Sequence, residues 1–238
     1  MLYQKVPKPE NGKRWVVSDI HGCSKTFKYL IQSKLRISKD DQLFLLGDYI
    51  NRGPNSTGVL NFILSLVRNG FNVFPLRGNH EQMLLDSHFE YKEYMQFKVP
   101  RLFKNRGLTD MMGRILPKYY KFMTNLPYYY ELDNFYLVHA GFNFNADNPF
   151  EDYHSMLWKR KFQVNVDMVN DKKIVHGHMK TPLQKIVENI ALDQMVIPLD
   201  NGCYEGLYEI YDPKMGNLLA LDLDTMDLII QPNLDRPY

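Results

Sequence analysis

Short apolar runs alternate with polar loops along roughly the first third of the chain. The runs at 15–17, 43–46 and 71–76 have the length of buried strands. Between them, apolar residues recur at helical spacing: Phe27, Leu30, Ile31 and Leu35 after the first run, and Val59, Leu60, Ile63, Leu66 and Val67 after the second. This alternation predicts a largely parallel sheet with helices covering its faces.

The pattern changes between residues 83 and 132, where aromatic and Met residues become frequent. Helical periodicity continues up to Pro117 through Leu108, Met111, Met112, Ile115 and Leu116. We therefore predict a helical insertion at about 83–132. Its aromatic residues include Tyr91, Tyr94, Tyr119 and Tyr128, and they suit either packing or a lid that stacks on a substrate base.

After residue 175, apolar runs at 186–187, 195–199, 207–210 and 218–223 are separated by turn formers such as Asp212-Pro213. We predict that these runs are short strands of a second, more antiparallel sheet packed on the first. Because no repeat or Pro/Gly-rich linker divides the chain, we predict one domain over residues 1–238, of the α/β (α+β) class.

Composition narrows the possible partners of this 238-residue chain. With 45% hydrophobic residues it can bury one sizeable core, and its formal charge of +2 gives no field that favours nucleic acid or an anionic membrane. Two cysteines are too few for a disulfide framework, and no apolar run has the length of a membrane span. We expect a cytoplasmic protein without nucleic-acid or membrane partners, and the oligomeric state is open.

Five apolar runs, at 15–17, 43–46, 71–76, 136–138 and 174–175, each lead into residues that can bind a metal ion. Loops at the carboxyl ends of parallel strands converge on one edge of a sheet. The potential donors at these ends are Asp19, His21, Asp48, Asn79, His80, His139 and His178. Carboxylate, amide and imidazole ligands without thiolate suit Mn, Fe or Zn better than Ca. The set exceeds the needs of one ion, so we predict two ions about 3.5–4 Å apart, bridged by an Asp.

Five motifs in this order resemble those of the calcineurin-like metallophosphoesterases. They are Ser18-Asp19-Ile20-His21-Gly22, Gly47-Asp48-Tyr49-Ile50-Asn51-Arg52-Gly53, Gly78-Asn79-His80-Glu81, His139-Ala140-Gly141 and Gly177-His178. Within that family the chain is most similar to the bacterial and phage branch of the Ser/Thr phosphoprotein phosphatases. The resemblance implies a four-layer β-sandwich flanked by helices. It also implies two divalent metal ions, with Mn expected first and Fe, Zn or Mg as alternatives.

The resemblance also implies a role for each site residue. The metal ligands would be Asp19 and His21 on the first ion, Asp48 between the ions, and Asn79, His139 and His178 on the second. Arg52 and Asn79 would bind the substrate phosphate, and Arg160 matches a second phosphate-binding Arg of the family, although Lys159 and Arg160 also fit a solvated basic pair. His80 would be the general acid. His176 would support the site rather than bind metal.

Asn51 departs from the family pattern, which commonly has Asp before this Arg-Gly. The usual Asp orients the histidine and stabilises its charged form, whereas an Asn oxygen can accept a ring N–H bond without adding charge. We therefore predict a lower operating pKa for His80 than an Asp would give. The alternative is that Asn51 only preserves a hydrogen bond.

The implied function is hydrolysis of phosphomonoesters by direct attack of a metal-bridging hydroxide on phosphorus. Phosphoserine or phosphothreonine in proteins is the leading substrate class, so we expect a phosphoprotein or a phosphorylated small molecule as the partner. Symmetrical dinucleoside tetraphosphate hydrolases share these motifs and are the alternative. A non-catalytic protein-binding scaffold is the least favoured reading, because every expected ligand position is filled.

Overall fold

The computed structural model describes residues 2–89, 107–208 and 212–235. Within these residues the strands are β1 (Tyr3–Lys5), β2 (Arg14–Val17), β3 (Gln42–Leu45), β4 (Asn72–Pro75), β5 (Tyr129–Glu131), β6 (Phe135–Val138), β7 (Lys173–His176), β8 (Val196–Pro198), β9 (Asn217–Asp222) and β10 (Leu228–Pro232). They form a first sheet in the order β10-β9-β2-β3-β4 and a second sheet in the order β1-β5-β6-β7-β8. Both sheets contain parallel and antiparallel pairs.

The described helices are α1 (Ser24–Tyr29), α2 (Ser56–Arg68), α3 (Asn79–Phe89), α4 (Pro117–Thr124), α5 (Tyr153–Trp158), α6 (Val166–Val169) and α7 (Leu183–Ala191). A π-helical turn, Leu30–Leu35, continues α1, and a 3₁₀ turn covers Cys203–Leu207. None of these described helices combines the length and the apolar character that crossing a membrane requires.

The predicted parallel core of the first sheet is confirmed, because β2 pairs parallel with β3 and β3 pairs parallel with β4. Alternate residues of each strand point to opposite faces. Trp15 and Val17 therefore pack with α1 and α2, whereas Val16 packs between the two sheets with Leu137 and Val175. The outer face of the second sheet is covered by α5 and α6. Helices, two sheets and further helices give the predicted four-layer sandwich.

A second sheet packs on the first as predicted, but the prediction that the last strands form it together is wrong. Strand β9 joins the first sheet beside β2, and β8 extends the second sheet parallel to β7. The run at 186–187 lies in α7, with Ile186 buried between the sheets. The run at 207–210 begins at the end of a 3₁₀ turn, and its residues 209–210 lie outside the described part of the chain. Pairing between distant strands leaves no trace in local periodicity.

The helix expected through Leu116 is also absent from the described residues, where 107–116 form turns around a bridge between Thr109 and Ile115. The Asp110 carboxylate accepts the N–H groups of Met112 and Arg114, which stabilises the turn. Pro117 begins α4 instead of ending a helix, because its missing N–H has no partner in a first turn anyway. Tyr91 and Tyr94 lie outside the described residues.

Candidate functional site

The loops that leave β2, β3, β4, β6 and β7 meet at one edge of the sandwich, around a cavity of about 420 Å³. We call this the site cavity. Its lining includes His21, Asp48, Arg52, Asn79, His80, Met83, Trp158, Arg160, His178, Met179, Lys180 and Tyr204. The remaining predicted site residues, Asp19, Asn51 and His139, are at most 1% exposed. The structure therefore brings the predicted residues together at one place.

Asp48 belongs to both groups of residues that could each hold a metal ion. Its Oδ2 lies 3.5 Å from Nε2 of His21 and 3.9 Å from Nε2 of His80. Its Oδ1 lies 3.6 Å from Nε2 of His139, which forms the other group with His178. The two oxygens of one carboxylate thus face different sets of imidazoles, as a bridging ligand requires.

Asn79 and Asp19 complete the donor set. Oδ1 of Asn79 lies 2.9 Å from Nε2 of His139 and 3.0 Å from Nδ1 of His178, so these three residues converge. The Asp19 carboxylate accepts the backbone N–H of His178 at 3.0 Å. A Cβ on Gly177 would overlap that carboxylate, which explains the Gly beside His178.

Burial sets the charge state of these donors. Burial, together with the charges of Asp200 and Asp48, raises the pKa of Asp19 well above its ordinary value, and burial likewise raises the pKa of Asp48. Burial lowers the pKa of His139 to about 4 and that of His178 to about 3. Buried carboxylates crowded together, beside imidazoles held neutral, are the chemistry that divalent cations stabilise. The donor set therefore fits metal ions.

The backbone of the site is held in unusual conformations. Positive φ angles occur at His21 (46°), Asp48 (51°), Asn51 (71°), Arg52 (64°) and His178 (63°). Each costs about 1 kcal/mol or more for a residue with a Cβ, so the surrounding contacts must impose it. Such strain concentrates at functional sites because it aims side chains at a common centre.

Glu81 supplies much of this constraint, and the sequence reasoning assigned it no role. Its buried carboxylate accepts the backbone N–H groups of Asp48 and Tyr49 at 2.9 Å and of Gly78 at 3.0 Å. It thereby joins the loop after β3 to the start of α3. The sequence feature that could have identified Glu81 is its position in the first turn of the helix that carries Asn79 and His80.

The side-chain amide nitrogen of Asn51 lies 2.6 Å from Nδ1 of His80. In this orientation the amide nitrogen donates to Nδ1 and the neutral ring carries its proton on Nε2, whereas the rotated amide would let its oxygen accept from a protonated Nδ1. Burial and the positive charge of Arg52 lower the pKa of His80 to about 3. The backbone N–H of His80 donates to Oδ1 of Asp48 at 2.9 Å, which fixes the ring beside the donors.

Arg52 and Arg160 are both exposed and line the site cavity. The Arg52 guanidinium lies 4.6 Å from the ring centre of Tyr204, and the edge of that ring packs against His21 at 5.1 Å. Lys180 also lies over Tyr204 and forms an ion pair with Glu205. Sequence reasoning did not identify Tyr204 or Lys180, because neither belongs to a recognised motif.

Asp200 is a further acidic residue near the site, and the sequence analysis gave it no role in the chemistry. It is 2% exposed, and burial raises its pKa to about 6. Its Oδ1 accepts the backbone N–H of Gly202 at 2.7 Å, and its charge acts on Asp19 and Asp48. The same signal that identified the other donors applied here, since Asp200 closely follows the end of β8.

Fold and donor set together define a metal-dependent phosphoesterase, a hydrolase built from a β-sandwich with Asp, Asn and His donors at its strand ends. Comparison with known families supports that class, since a calcineurin-like phosphoesterase model matches residues 12–215. The chain belongs to the calcineurin-like phosphoesterase family.

Individual relatives match over shorter segments. Over 99 residues the chain is 41% identical to a symmetrical bis(5'-nucleosyl)-tetraphosphatase of Wigglesworthia glossinidia brevipalpis, covering 42% of this chain and 32% of that protein. Over 86 residues it is 37% identical to serine/threonine-protein phosphatase 1 of Salmonella typhimurium, covering 36% of this chain and 38% of that protein. The chain thus spans about a third of the length of these curated relatives.

Solved structures share the fold across nearly the whole chain. A protein reported as a candidate diadenosine tetraphosphatase superposes with a TM-score of 0.62 at 19% identity, covering 98% of this chain and 99% of that one. A protein serine/threonine phosphatase from Saccharomyces cerevisiae superposes with a TM-score of 0.60 at 16% identity, covering 100% of this chain and 85% of that one.

Proposed function

We propose that this protein is a two-metal phosphoesterase that cleaves dinucleoside tetraphosphates symmetrically. The observation that carries the proposal is the charge of the site cavity, where Arg52, Arg160 and Lys180 line the same space as the metal donors. Three cationic side chains around one cavity, of which Lys180 is also paired with Glu205, suit a substrate with several consecutive phosphates better than one with a single phosphate. The relative that is 41% identical over 99 residues, a symmetrical bis(5'-nucleosyl)-tetraphosphatase, supports this choice.

Asp19 and His21 would hold one ion, Asn79, His139 and His178 the other, and Asp48 both. His80 also lies close to His21 and Asp48, and we assign it to proton donation instead of metal binding. Bound there, divalent ions would lower the pKa of the attacking water and neutralise charge on the phosphoryl oxygens. The approach of Asp48 to both histidine groups supports a shared ligand.

The chain's own side chains would complete the reaction. Arg52, held over the ring of Tyr204, and Arg160 would bind the oxygens of the phosphate under attack. His80 lines the cavity beside Asp48, and in its protonated, imidazolium form it could donate the Nε2 proton to the leaving oxygen and return to the neutral ring. The cationic side chains and the proton donor would therefore line the same cavity as the metal donors.

A phosphoprotein phosphatase acting on phosphoserine or phosphothreonine is the second candidate function. It is favoured by the 37% identity with serine/threonine-protein phosphatase 1 of Salmonella typhimurium. The same donors and the same Arg52 would serve that reaction, since the phosphoryl chemistry is common to both substrates. The two candidates differ in what the rest of the substrate contacts.

Side-by-side turnover tests the proposal. Metal-stripped protein is reconstituted with manganese, iron, zinc or magnesium and offered diadenosine tetraphosphate and a phosphothreonine peptide. We expect faster cleavage of the dinucleotide, to two molecules of adenosine diphosphate, and loss of that activity in Asp48→Asn. Asp40→Asn, on an exposed loop before β3, is the matched control and should retain activity. Preference for the peptide would favour the second candidate, and no turnover with any metal would overturn both.

A further inference from the structure

A second cavity of about 610 Å³ adjoins the site cavity at Arg160, whose side chain lines both. We call it the Phe162 cavity, after the aromatic residue in its wall. Its volume lies within the range of about 300–1,000 Å³ that is typical of small-molecule sites. Nothing in the donor set described above uses this space.

The aromatic wall of the Phe162 cavity is fixed by its packing. The Phe162 ring lies against the backbone of Gly141, where a Cβ would overlap it. Its centre is 5.6 Å from the ring of His176, in an edge-on arrangement, and 6.2 Å from the ring of Phe144. Phe162 remains half-buried, so part of it is accessible from the cavity. Such a ring offers a stacking surface that needs little ordering when a ligand binds.

Polar and charged side chains line the rest of the Phe162 cavity. The Lys159 ammonium donates to Oδ1 of Asn143 at 3.1 Å, which anchors its position. Nδ1 of His176 donates to the carbonyl of Gly177 at 2.9 Å, so Nε2 of the neutral ring is left as an acceptor. Arg160 and Lys161 add two exposed cations to the lining. The cavity thus combines an aromatic face, an acceptor and positive charge.

We propose that the Phe162 cavity binds one nucleoside 5'-phosphate unit of the substrate, an inference that rests on the function proposed above. The base would lie against Phe162, with an amino group of the base donating to Nε2 of His176. Its phosphates would lie beside Lys161 and beside Arg160, which lines both cavities. An extended phosphopeptide would use the charge but has no general need for the flat aromatic wall or the acceptor.

Calorimetry on the manganese-loaded protein tests this assignment with two ligands that differ only in the nucleoside. Adenosine 5'-methylenediphosphonate carries the base, whereas methylenediphosphonate does not, and the bridging carbon of both resists hydrolysis. We expect the nucleoside to increase affinity at least tenfold. Phe162→Leu should reduce that advantage by about tenfold, the value of a base-to-ring stack. Lys161→Gln should lower the affinity for both ligands by about threefold.

Matched controls come from the opposite end of the first sheet. Phe71→Leu changes a half-buried ring just before β4, and Lys39→Gln removes an exposed charge just before β3. Both should bind the two ligands as the unchanged protein does. Equal affinities for the two ligands, or an equal effect of Phe162→Leu and Phe71→Leu, would overturn the proposal. Binding of a phosphothreonine peptide that depends on Phe162, without any preference for the nucleoside, would overturn it in favour of a peptide site.

The two proposals can fail separately. Suppose that the protein cleaves diadenosine tetraphosphate but that Phe162→Leu leaves the extra affinity given by the nucleoside unchanged. The proposed function then stands, and the assignment of the Phe162 cavity as the nucleoside site is overturned. If the nucleoside advantage depends on Phe162 but the dinucleotide is not cleaved, the cavity assignment stands and the proposed substrate fails.

Discussion

Asn51 is the residue at which this chain departs from the family motif, and it contacts the proposed general acid directly. A carboxylate in its place would attract the charged form of His80 and raise the pKa of that ring. We expect Asn51→Asp to speed turnover of substrates with poor leaving groups relative to p-nitrophenyl phosphate, and to move the alkaline limb of the rate to higher pH. Superimposable pH–rate profiles of the two proteins would show that Asn51 has no influence on proton donation.

The Arg52 guanidinium packs over the ring of Tyr204 in a cation–π contact. Its loss should leave the guanidinium less well oriented, and such a contact is worth about 0.5–1 kcal/mol at an exposed site. We expect Tyr204→Leu to raise the KM for p-nitrophenyl phosphate by about threefold, with a smaller change in kcat. Tyr204→Phe retains the ring and serves as the control. An equal rise in KM for both variants would exclude the cation–π contact as the cause.

Residue types at strand ends were sufficient to predict which side chains the structure brings together. Asp19, Asp48 and His139 each follow a short apolar run, and the structure places all of them at one edge. Tyr204 was not predictable in this way, because it contacts Arg52 from a 3₁₀ turn about 150 residues later in the sequence.

Two elements, the loop after β3 and the start of α3, are joined through the buried carboxylate of Glu81. Glu81→Gln would turn an amide NH₂ group toward backbone N–H donors, leaving at least one of them unpaired. We expect a loss of about 2 kcal/mol in the free energy of unfolding, or about 4–8 °C in Tm. Glu188→Gln, on the exposed side of α7, is the control for thermal unfolding. An unchanged Tm would mean that the carboxylate does not hold the loops.

Elements with local signals were predicted better than those defined by distant pairing. The apolar runs of β2 and β3 and the amphipathic α2 are found in the structure where the sequence placed them. The apolar stripe of α7 was mistaken for a strand, since only two of its residues, Ile186 and Val187, were considered. The position of β9 beside β2 depends on contacts about 200 residues apart in the sequence, which periodicity does not report.

On the scale of the whole molecule, Arg14 ties the two sheets together. Its buried guanidinium lies in β2 of the first sheet and pairs with Asp133, in the β5–β6 turn of the second sheet, and with Asp224, in the β9–β10 turn. Hydrogen bonds from Arg14 outweigh the effect of partial burial and lower the pKa of both carboxyls. The ion pairs therefore stabilise the folded state at pH values above the ordinary Asp range.

We expect Arg14→Met to lower the free energy of unfolding by about 2 kcal/mol at neutral pH, less than for a fully buried pair because the carboxylates are partly exposed. A depressed folded-state pKa gives stability above about pH 4 that is lost as the pH falls through the folded value. The difference from the unchanged protein should thus shrink below about pH 4. Denaturant titrations across pH measure it, with exposed Arg68→Met as control. A constant difference at all pH values would contradict this account.

The central claim is that this sandwich holds two metal ions that share Asp48. Equilibrium dialysis of the metal-stripped protein against manganese, with bound metal counted per chain, tests it most directly. We predict two ions per chain, and weaker binding of both in Asp48→Asn, with Asp40→Asn unchanged. A single bound ion, or two ions whose affinity is unaffected by Asp48→Asn, would contradict the shared site.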